Sequence, residues 1–219
     1  MLIKEVLKQI RDYYYRKRRK RYFKQLQFQI PVGTSIISSN CFAGRIMQDL
    51  ELEYNSPTLG LYFWSPDYIE FLSKLDYYLN HAKLYFVNES KYQLGRLRHS
   101  KWKHWYPIGL LDGKVEIHFL HYKTETEAAD KWYRRASRVN LDKLLIIGME
   151  QNECSVDDIL RFDKLPYKNK YFFSTRKLPD VGSNVYMHEF RNRKEVGDPY
   201  KYAHIFYKHL LKELKNLDE

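Results

Sequence analysis

The sequence predicts one α/β domain, with a largely parallel or mixed sheet flanked by helices, behind a basic amphipathic N-terminal helix. Short apolar runs of strand length alternate with segments of helical period, which is typical of this class. The length of 219 residues suits one full-sized domain and is short for two. Basic residues concentrate at the start of the chain. We therefore expect an arm over residues 1–30 and an α/β domain over residues 31–219.

The arm combines an apolar stripe with a block of cations. Apolar residues recur at helical spacing over residues 2–14, and residues 16–21 are all Lys or Arg. Residues 1–24 hold ten of the 38 Lys and Arg residues, against only Glu5 and Asp12, and the remaining chain is close to neutral. This pattern suits an anionic membrane surface, contacted through residues 16–21. The alternative is a solvated helix packed by its stripe. A near-neutral body argues against nucleic acid as the partner.

Composition also bears on location. The sequence has no run of about 18 apolar residues, so we expect no membrane span. Charged residues interrupt residues 1–10, unlike a secretory leader. Cys41 and Cys154 are too few for a disulfide framework, and we expect free thiols in a reducing compartment. The expected location is cytoplasmic, peripheral at the inner membrane face.

The first half of the domain contains three predicted strands. Residues 35–39 form a short apolar run that leads through a small-residue turn into a helix. The second strand, residues 58–64, precedes a Ser-Pro-Asp helix start, and the spacing predicts a helix over residues 65–80. Residues 84–87 are a further strand. Residues 93–106, which are basic and rich in Trp and His, are predicted to be a surface loop.

The second half begins with a predicted hairpin. Asp112-Gly113 separates two apolar runs, residues 106–111 and 115–120, which is a strong hairpin signal. Thr124 and Glu127 form a capping-box pattern that predicts a helix through Ser137. The remaining predicted elements are strands at 144–148, 171–173 and 185–187, and helices at 155–162 and 200–214.

Two parts of the chain resemble each other. Residues 35–64 read as strand, Asn-Cys turn, helix and strand, and residues 144–173 repeat this order with a second Cys. An internal duplication of a β-α-β unit would explain the likeness, and chance similarity between such units is the alternative.

The turn between the first strand and its helix is the candidate phosphate-binding site. Backbone N–H groups at a helix start attract anions. We expect ligand contacts from Ser39, Asn40, Cys41 and Gly44. The alternative is that Asn40 simply caps the helix.

The strand after the predicted hairpin carries the candidate catalytic residues. In an extended strand Glu116 and His118 point to one face and His121 to the other, so the two histidines cannot share a metal without a bulge. His121 lies near the carboxyl end of the strand, where α/β proteins bind ligands. A histidine there could act as a general base. The alternative for each histidine is a hydrogen-bonded structural role.

The following helix contributes two candidate anion ligands. Arg134 and Arg138 are four residues apart and share a face, and paired guanidinium groups bind phosphate well. A solvated face is the alternative. The sequence lacks glycine-rich nucleotide loops, a nucleophile elbow, Cys-x-x-Cys pairs and Asp-x-Asp pairs. We therefore expect no metal and no cofactor.

With these segments identified, the chain resembles a bacterial family of proteins encoded with capsule and exopolysaccharide genes. The resemblance covers residues 34–200. The first-turn motif usually reads Asn-Asn-Cys-Trp-Gly-Gly, and this chain departs from it. Three segments carry the resemblance: Ile37-Ser38-Ser39-Asn40-Cys41-Phe42-Ala43-Gly44, Tyr54-Asn55-Ser56-Pro57-Thr58, and Glu116-Ile117-His118-Phe119-Leu120-His121-Tyr122 with Lys131-Trp132 and Arg134-Arg135.

The resemblance implies an α/β fold and a role in surface-glycan assembly, without assigning catalytic residues. We expect a metal-independent, glycosyltransferase-like enzyme of exopolysaccharide or capsule biosynthesis. Its donor would be a nucleotide sugar or another phosphate-bearing molecule, and its acceptor a glycan or lipid-linked sugar. The alternative is a non-catalytic accessory protein that binds glycan or scaffolds a biosynthetic complex.

Overall fold

A computed structural model describes residues 2–215, with side chains from Glu5 onward. The helices are α1 (Leu2–Gln29), α2 (Phe42–Asp49), α3 (Ser65–Ser73), α4 (Leu75–Asn80), α5 (Gln93–Lys101), α6 (Glu125–Ala136), α7 (Val156–Asp163) and α8 (Ala203–Lys215), with a short 3-10 helix at His188–Phe190. The strands are β1 (Ser35–Ser38), β2 (Tyr62–Phe63), β3 (Leu84–Val87), β4 (Ile108–Leu111), β5 (Val115–His118), β6 (Leu144–Met149), β7 (Lys170–Ser174) and β8 (Asn184–Tyr186).

The first sheet is parallel, with strand order β1-β6-β7-β8. The two central strands, β6 and β7, are short and largely buried on both faces, which explains their apolar runs. Successive residues face opposite layers. Ile36 packs with the core of α1, α2 and α8, whereas Ile37 packs with the core that includes α3, α6 and α7.

The second sheet is antiparallel, with strand order β2-β5-β4-β3. The β4–β5 turn confirms the predicted hairpin. Asp112 and Gly113 both have positive φ angles, 48° and 70°, as the tight turn requires. The chain is therefore a mixed α/β domain, as predicted, with its parallel and antiparallel pairings separated into two sheets.

Backbone hydrogen bonds join the two sheets. Phe63 N–H, in the antiparallel sheet, donates to Ser39 O just beyond β1 (2.9 Å), and Ser65 N–H donates to Asn152 O just beyond β6 (3.1 Å). The buried Tyr68 hydroxyl lies within hydrogen-bond distance of two carbonyl oxygens in the parallel sheet, one on β1 (3.1 Å) and one on β6 (2.9 Å). The sheets therefore form one body.

Several elements differ from the sequence-based expectation. The predicted helix over residues 65–80 is interrupted at Lys74, whose backbone leaves the helical region and separates α3 from α4. Most of the predicted loop over residues 93–106 is helix α5. β2 pairs with β5 rather than with β1, so residues 35–64 do not form a parallel β-α-β unit. β6, α7 and β7 do form one.

The predicted arm is a continuous helix that packs along α8. Leu26 and Ile30 are buried in the core shared with α8, and the Tyr15 ring lies 4.1 Å from the His204 ring. Arg19 forms an ion pair with Asp49 of α2 (3.3 Å). Within residues 2–215, no helix combines the length and apolarity needed to cross a lipid bilayer.

Candidate functional site

A cavity of about 870 Å³ opens beyond the carboxyl ends of β1 and β6, where the two sheets meet. α/β proteins commonly bind ligands at this position. Its aromatic side chains are Tyr54, Tyr62, Trp102, Tyr122 and Tyr200. Its charged groups are Arg98, Lys131 and Arg135, with Glu195 and Asp198. Asn40, Cys41, Gly44, His121, Gln151 and Asn152 also line it.

The turn before α2 forms one edge of the cavity, but side chains already pair its first amides. Phe42 N–H donates to Asn40 Oδ1 (3.0 Å), and Ala43 N–H donates to Ser38 Oγ (2.9 Å). Asn40 Nδ2 in turn donates to Gln151 Oε1 (2.8 Å). Asn40 therefore pairs one of these amides and Ser38 the other, although the N-cap position itself is Cys41, whose side chain makes no capping hydrogen bond. Neither amide is free to bind an anion.

Two other predicted residues of this turn have structural partners. Burial raises the pKa of Cys41 to about 12, so the side chain is a thiol near neutral pH, and its Sγ lies 3.4 Å from Leu61 O. Ser39 is buried, and its backbone joins the sheets rather than lining the cavity. Gly44 lies at the cavity edge, within reach of Leu59 and Tyr200.

The cationic wall of the cavity comes from α5 and α6. Arg135 Nη1 donates to the Tyr122 hydroxyl (2.6 Å), and its guanidinium lies over the Tyr54 ring. Arg98 Nη1 donates to Asn152 Oδ1 (2.7 Å), and its guanidinium lies over the Tyr62 ring (5.1 Å). Within residues 5–215, neither guanidinium forms an ion pair. Both charges are held in place without being neutralised by a carboxylate.

Lys131 adds a third cation, one helical turn before Arg135. Its ammonium pairs with Glu127 on the same helix (2.6 Å) and lies 5.4 Å from the centre of the Tyr122 ring. The structure places neither predicted arginine of this helix in the cavity lining. Arg134 is exposed, and Arg138 pairs with Glu53 (3.5 Å).

The predicted pair Glu116 and His118 lies inside the antiparallel sheet, fully buried. His118 Nε2 is 2.7 Å from Glu116 Oε1. The Ser90 hydroxyl donates to the same oxygen (2.5 Å), and Lys91 N–H donates to Oε2 (2.7 Å). Burial raises the pKa of Glu116, but the hydrogen bonds from His118, Ser90 and Lys91 outweigh it, and the net shift is downward. Glu116 is therefore a carboxylate, and we assign the His118 proton to Nε2.

This arrangement leaves His118 Nδ1 to accept a hydrogen bond. Nδ1 lies 3.0 Å from the Tyr62 hydroxyl and 3.2 Å from the Tyr106 hydroxyl. Burial lowers the pKa of His118, although Glu116 acts in the opposite direction, so the ring is neutral. The Trp64 indole nitrogen is 2.9 Å from His118 Nε2. It could donate a hydrogen bond to that atom only if the His118 proton were on Nδ1 instead. A carboxylate–imidazole–phenol chain thus runs from Glu116 to Tyr62, which lines the cavity.

His118 makes the stability of the fold sensitive to acid. Its pKa in the folded chain lies below the ordinary 6.5, so the unfolded chain binds more protons as the pH falls through that value. We expect the urea midpoint to fall between about pH 7.5 and about pH 5.5, and to fall less in His118→Gln. Equal pH dependence of the two proteins would contradict this.

His121 is the predicted catalytic residue that faces the cavity directly. It follows β5 in an exposed turn, where its backbone N–H donates to Gly60 O (3.0 Å). Glu116 and His118 reach the cavity only through Tyr62. Sequence reasoning missed Tyr62, Arg98 and Arg135. The spacing rule applied to Arg134 and Arg138 could also have identified Arg135, because Arg135 is four residues after Lys131 and shares its helical face.

One grouping within the described residues has the composition of a metal site. Nitrogen and oxygen atoms of His188, Glu189 and His209 lie within 4.8 Å of one another. Lys208 also pairs with Glu189 (3.6 Å), which places a competing cation at the group. None of the three residues lines the cavity.

Two comparisons with known proteins place the chain in a family. An uncharacterized protein of Haemophilus influenzae (strain ATCC 51907 / DSM 11121 / KW20 / Rd) is 33% identical to it over 171 residues, which cover 78% of this chain and 76% of that protein. The family described as "Domain of unknown function (DUF1919)" matches residues 8–218. The match spans most of the arm, both sheets and every residue of the cavity, and the chain therefore belongs to the DUF1919 family.

Proposed function

We propose that the cavity binds a phosphate-bearing donor, such as a nucleotide sugar, and that the protein transfers its sugar to a hydroxyl group. The observation that carries this proposal is the pair of guanidinium groups, Arg98 and Arg135, held at the cavity without a carboxylate partner among the described residues. Guanidinium groups bind phosphate oxygens in a bidentate manner and stay charged at all physiological pH values. A volume of about 870 Å³ falls in the range of small-molecule sites.

The aromatic walls suit the remainder of such a donor. Tyr54, Trp102 and Tyr200 line the cavity, and their exposed rings offer surface for a base or a sugar. Glu195 and Asp198 lie on the same cavity, and their carboxylates can accept hydrogen bonds from sugar hydroxyls. The lining therefore has cations for phosphate, ring faces for stacking and acceptors for hydroxyls.

The proposed reaction is displacement at the sugar's anomeric carbon. The acceptor oxygen forms a bond to that carbon, and the bond to the donor phosphate breaks, with its electron pair leaving on the phosphate. His121 accepts the acceptor's hydroxyl proton, because it is the exposed imidazole at the cavity. Arg98 and Arg135 stabilise the negative charge that develops on the leaving phosphate.

The place of this reaction, in our proposal, is the assembly of exopolysaccharide or capsule on a glycan or lipid-linked acceptor. The residue pattern around the first turn and around β5 supports it, through the resemblance to proteins encoded with such genes. A non-catalytic glycan-binding protein is the second candidate. The exposed aromatic rings of the cavity, Tyr54, Trp102 and Tyr200, favour it, because sugars stack on aromatic faces without any need for nearby cations.

Replacing Arg135 by Gln tests the phosphate site. We expect UDP and UDP-sugars to raise the melting temperature of the wild type. In Arg135→Gln we expect their affinity, measured by calorimetry, to fall at least about tenfold, because a charge-assisted hydrogen bond is lost. Arg134→Gln is the matched control, since Arg134 lies on the same helix but outside the cavity.

The two candidates predict different ligand profiles. Binding of neutral oligosaccharides without any response to nucleotides or sugar phosphates would contradict the transferase proposal and support the glycan-binding protein instead. Equal losses in the Arg134 and Arg135 variants would show that the cavity is not the phosphate site.

A further inference from the structure

The N-terminal helix has one face that no described part of the protein covers. The face toward α8 carries Tyr15, Arg19 and Leu26, which contact His204, Asp49 and the core shared with α8. Steps of three and four residues from Val6 onward reach the opposite side of the helix. The exposed residues there are Val6, Leu7, Ile10, Tyr13, Tyr14, Lys17, Lys20, Arg21, Lys24 and Phe28. We call these ten residues the outward face.

The first half of the outward face is apolar. Leu7 is 60% exposed, and Tyr13 and Tyr14 are each 56% exposed. In a helix packed only for its own stability, such side chains would turn toward the core, since exposed apolar area gains nothing in water. Here the helical positions on the side toward α8 are taken by Lys8 and Arg11, which are themselves exposed, as are all of residues 5–11.

The second half of the outward face is cationic. Lys17, Lys20, Arg21 and Lys24 are exposed, and within residues 5–215 none of the four pairs with a carboxylate. The acidic residues of the helix, Glu5 and Asp12, lie off this face, on the side toward α8. The outward face therefore carries positive charge with no acidic residue to offset it.

We infer that the outward face of α1 docks on an anionic lipid surface. Apolar side chains insert at the headgroup boundary, and the following cations contact the lipid phosphates. The body of the protein is close to neutral, so the charge complementarity is confined to this one helix. A nucleic acid would not use the six apolar and aromatic residues of the outward face, and a second copy of the same face would place the four cations against each other.

Vesicle binding with the full chain tests this inference. We expect co-sedimentation with vesicles of phosphatidylcholine mixed with phosphatidylglycerol, weak binding to phosphatidylcholine alone, and loss of binding at high salt. The variant Lys17→Gln/Arg21→Gln/Lys24→Gln should lower the partition coefficient on the order of a hundredfold, because each basic residue near an anionic surface adds several-fold. Its melting temperature should match that of the wild type, since all three side chains are exposed.

Two matched controls test whether vesicle binding depends on the outward face itself rather than on the protein's total charge or exposed apolar area. Lys164→Gln/Lys168→Gln/Lys194→Gln removes the same charge from exposed positions outside α1 and should bind vesicles as the wild type does. Leu7→Ser/Ile10→Ser should weaken vesicle binding at least about tenfold, while Leu141→Ser/Leu160→Ser, which changes two exposed leucines outside α1, should not.

Three outcomes would overturn the inference. The first is equal vesicle binding by the α1 variant and its charge control. The second is a dimer, seen by light scattering, that the Leu7→Ser/Ile10→Ser variant abolishes in the absence of lipid. The third is tight binding of DNA or RNA that depends on Lys17, Arg21 and Lys24, with no binding to anionic vesicles.

Discussion

Replacing Glu116 by Ala should lower the free energy of unfolding by about 3–5 kcal/mol, the cost typical of removing one partner from a buried ion pair or its hydrogen-bonded equivalent. Glu116 is fully buried, and its two oxygens accept hydrogen bonds from His118, Ser90 and the Lys91 amide. Without the carboxylate these donors stay buried and unpaired. Urea denaturation followed by circular dichroism measures the loss.

An exposed glutamate is the control for this variant. Glu53 is 76% exposed at its side chain and pairs only loosely with Arg138, so Glu53→Ala should change stability by less than about 0.5 kcal/mol. The predicted effect of Glu116→Ala also has a consequence at the cavity. His118 would lose the group that holds its ring, and Tyr62 would lose a fixed hydrogen-bond partner. A Glu116→Ala protein as stable as Glu53→Ala would contradict the role assigned to the buried pair.

Gly148→Ala should destabilise the parallel sheet by about 1–3 kcal/mol, because it overpacks the core near the carboxyl end of β6. A Cβ at Gly148 would lie 2.5 Å from Phe172 Cε2 and closer still to Cδ2. The Phe172 ring cannot move aside freely, since it is buried and packs edge-on against Phe162 at 5.0 Å between centroids. Thermal and urea unfolding measure the change.

A double-mutant cycle with Phe172→Leu identifies the cause. If the Phe172 ring is what the new methyl group meets, Gly148→Ala should cost clearly less in the Phe172→Leu background than in the wild type. Gly182→Ala is the control glycine, because its nearest neighbour would be Asp163 Oδ1 at 3.9 Å. Purely additive effects of the two substitutions would show that the strain arises elsewhere.

The elements with strong local signals were predictable from sequence. Thr124 accepts a hydrogen bond from Glu127 N–H at the start of α6, and Ser155 and Asp158 form a reciprocal cap at α7. Asp112 and Gly113 can adopt the positive φ that the hairpin requires. In each case the sequence within a few residues determines the conformation, so periodicity and capping rules suffice.

The incorrect sequence-based predictions, for β2 and α5, concern contacts between distant parts of the chain. β2 is only two residues long, and its partner β5 follows more than fifty residues later, so no local pattern assigns it to the second sheet. α5 has few buried residues and no apolar stripe, and Gly95 packs its backbone against Ser90 and Trp64 instead. Arg98 reaches the cavity on this unpredicted helix.

The candidate site was also only partly predictable, because some of its contacts are local in sequence and others join distant parts of the chain. The alternation of a strand correctly places Glu116 and His118 on one face, where they contact each other. It does not reveal that this face is buried and ends at Tyr62, because Tyr62 belongs to another strand. Which of Arg134, Arg135 and Arg138 faces the cavity depends on how α6 is rotated against the sheet, which spacing alone does not fix.

The hydrogen bonds that join the two sheets bear on how a ligand would be selected. Enzymes made of two hinged lobes can close over a substrate and exclude poor ones by failing to close. In this fold the backbone links lie beside the mouth of the cavity, so relative rotation of the sheets would break them. Selectivity must then depend on a pre-formed template, in which hydrogen bonds already hold the side chains of Arg98 and Arg135. Mutations in the walls should alter ligand preference directly rather than through a closing motion.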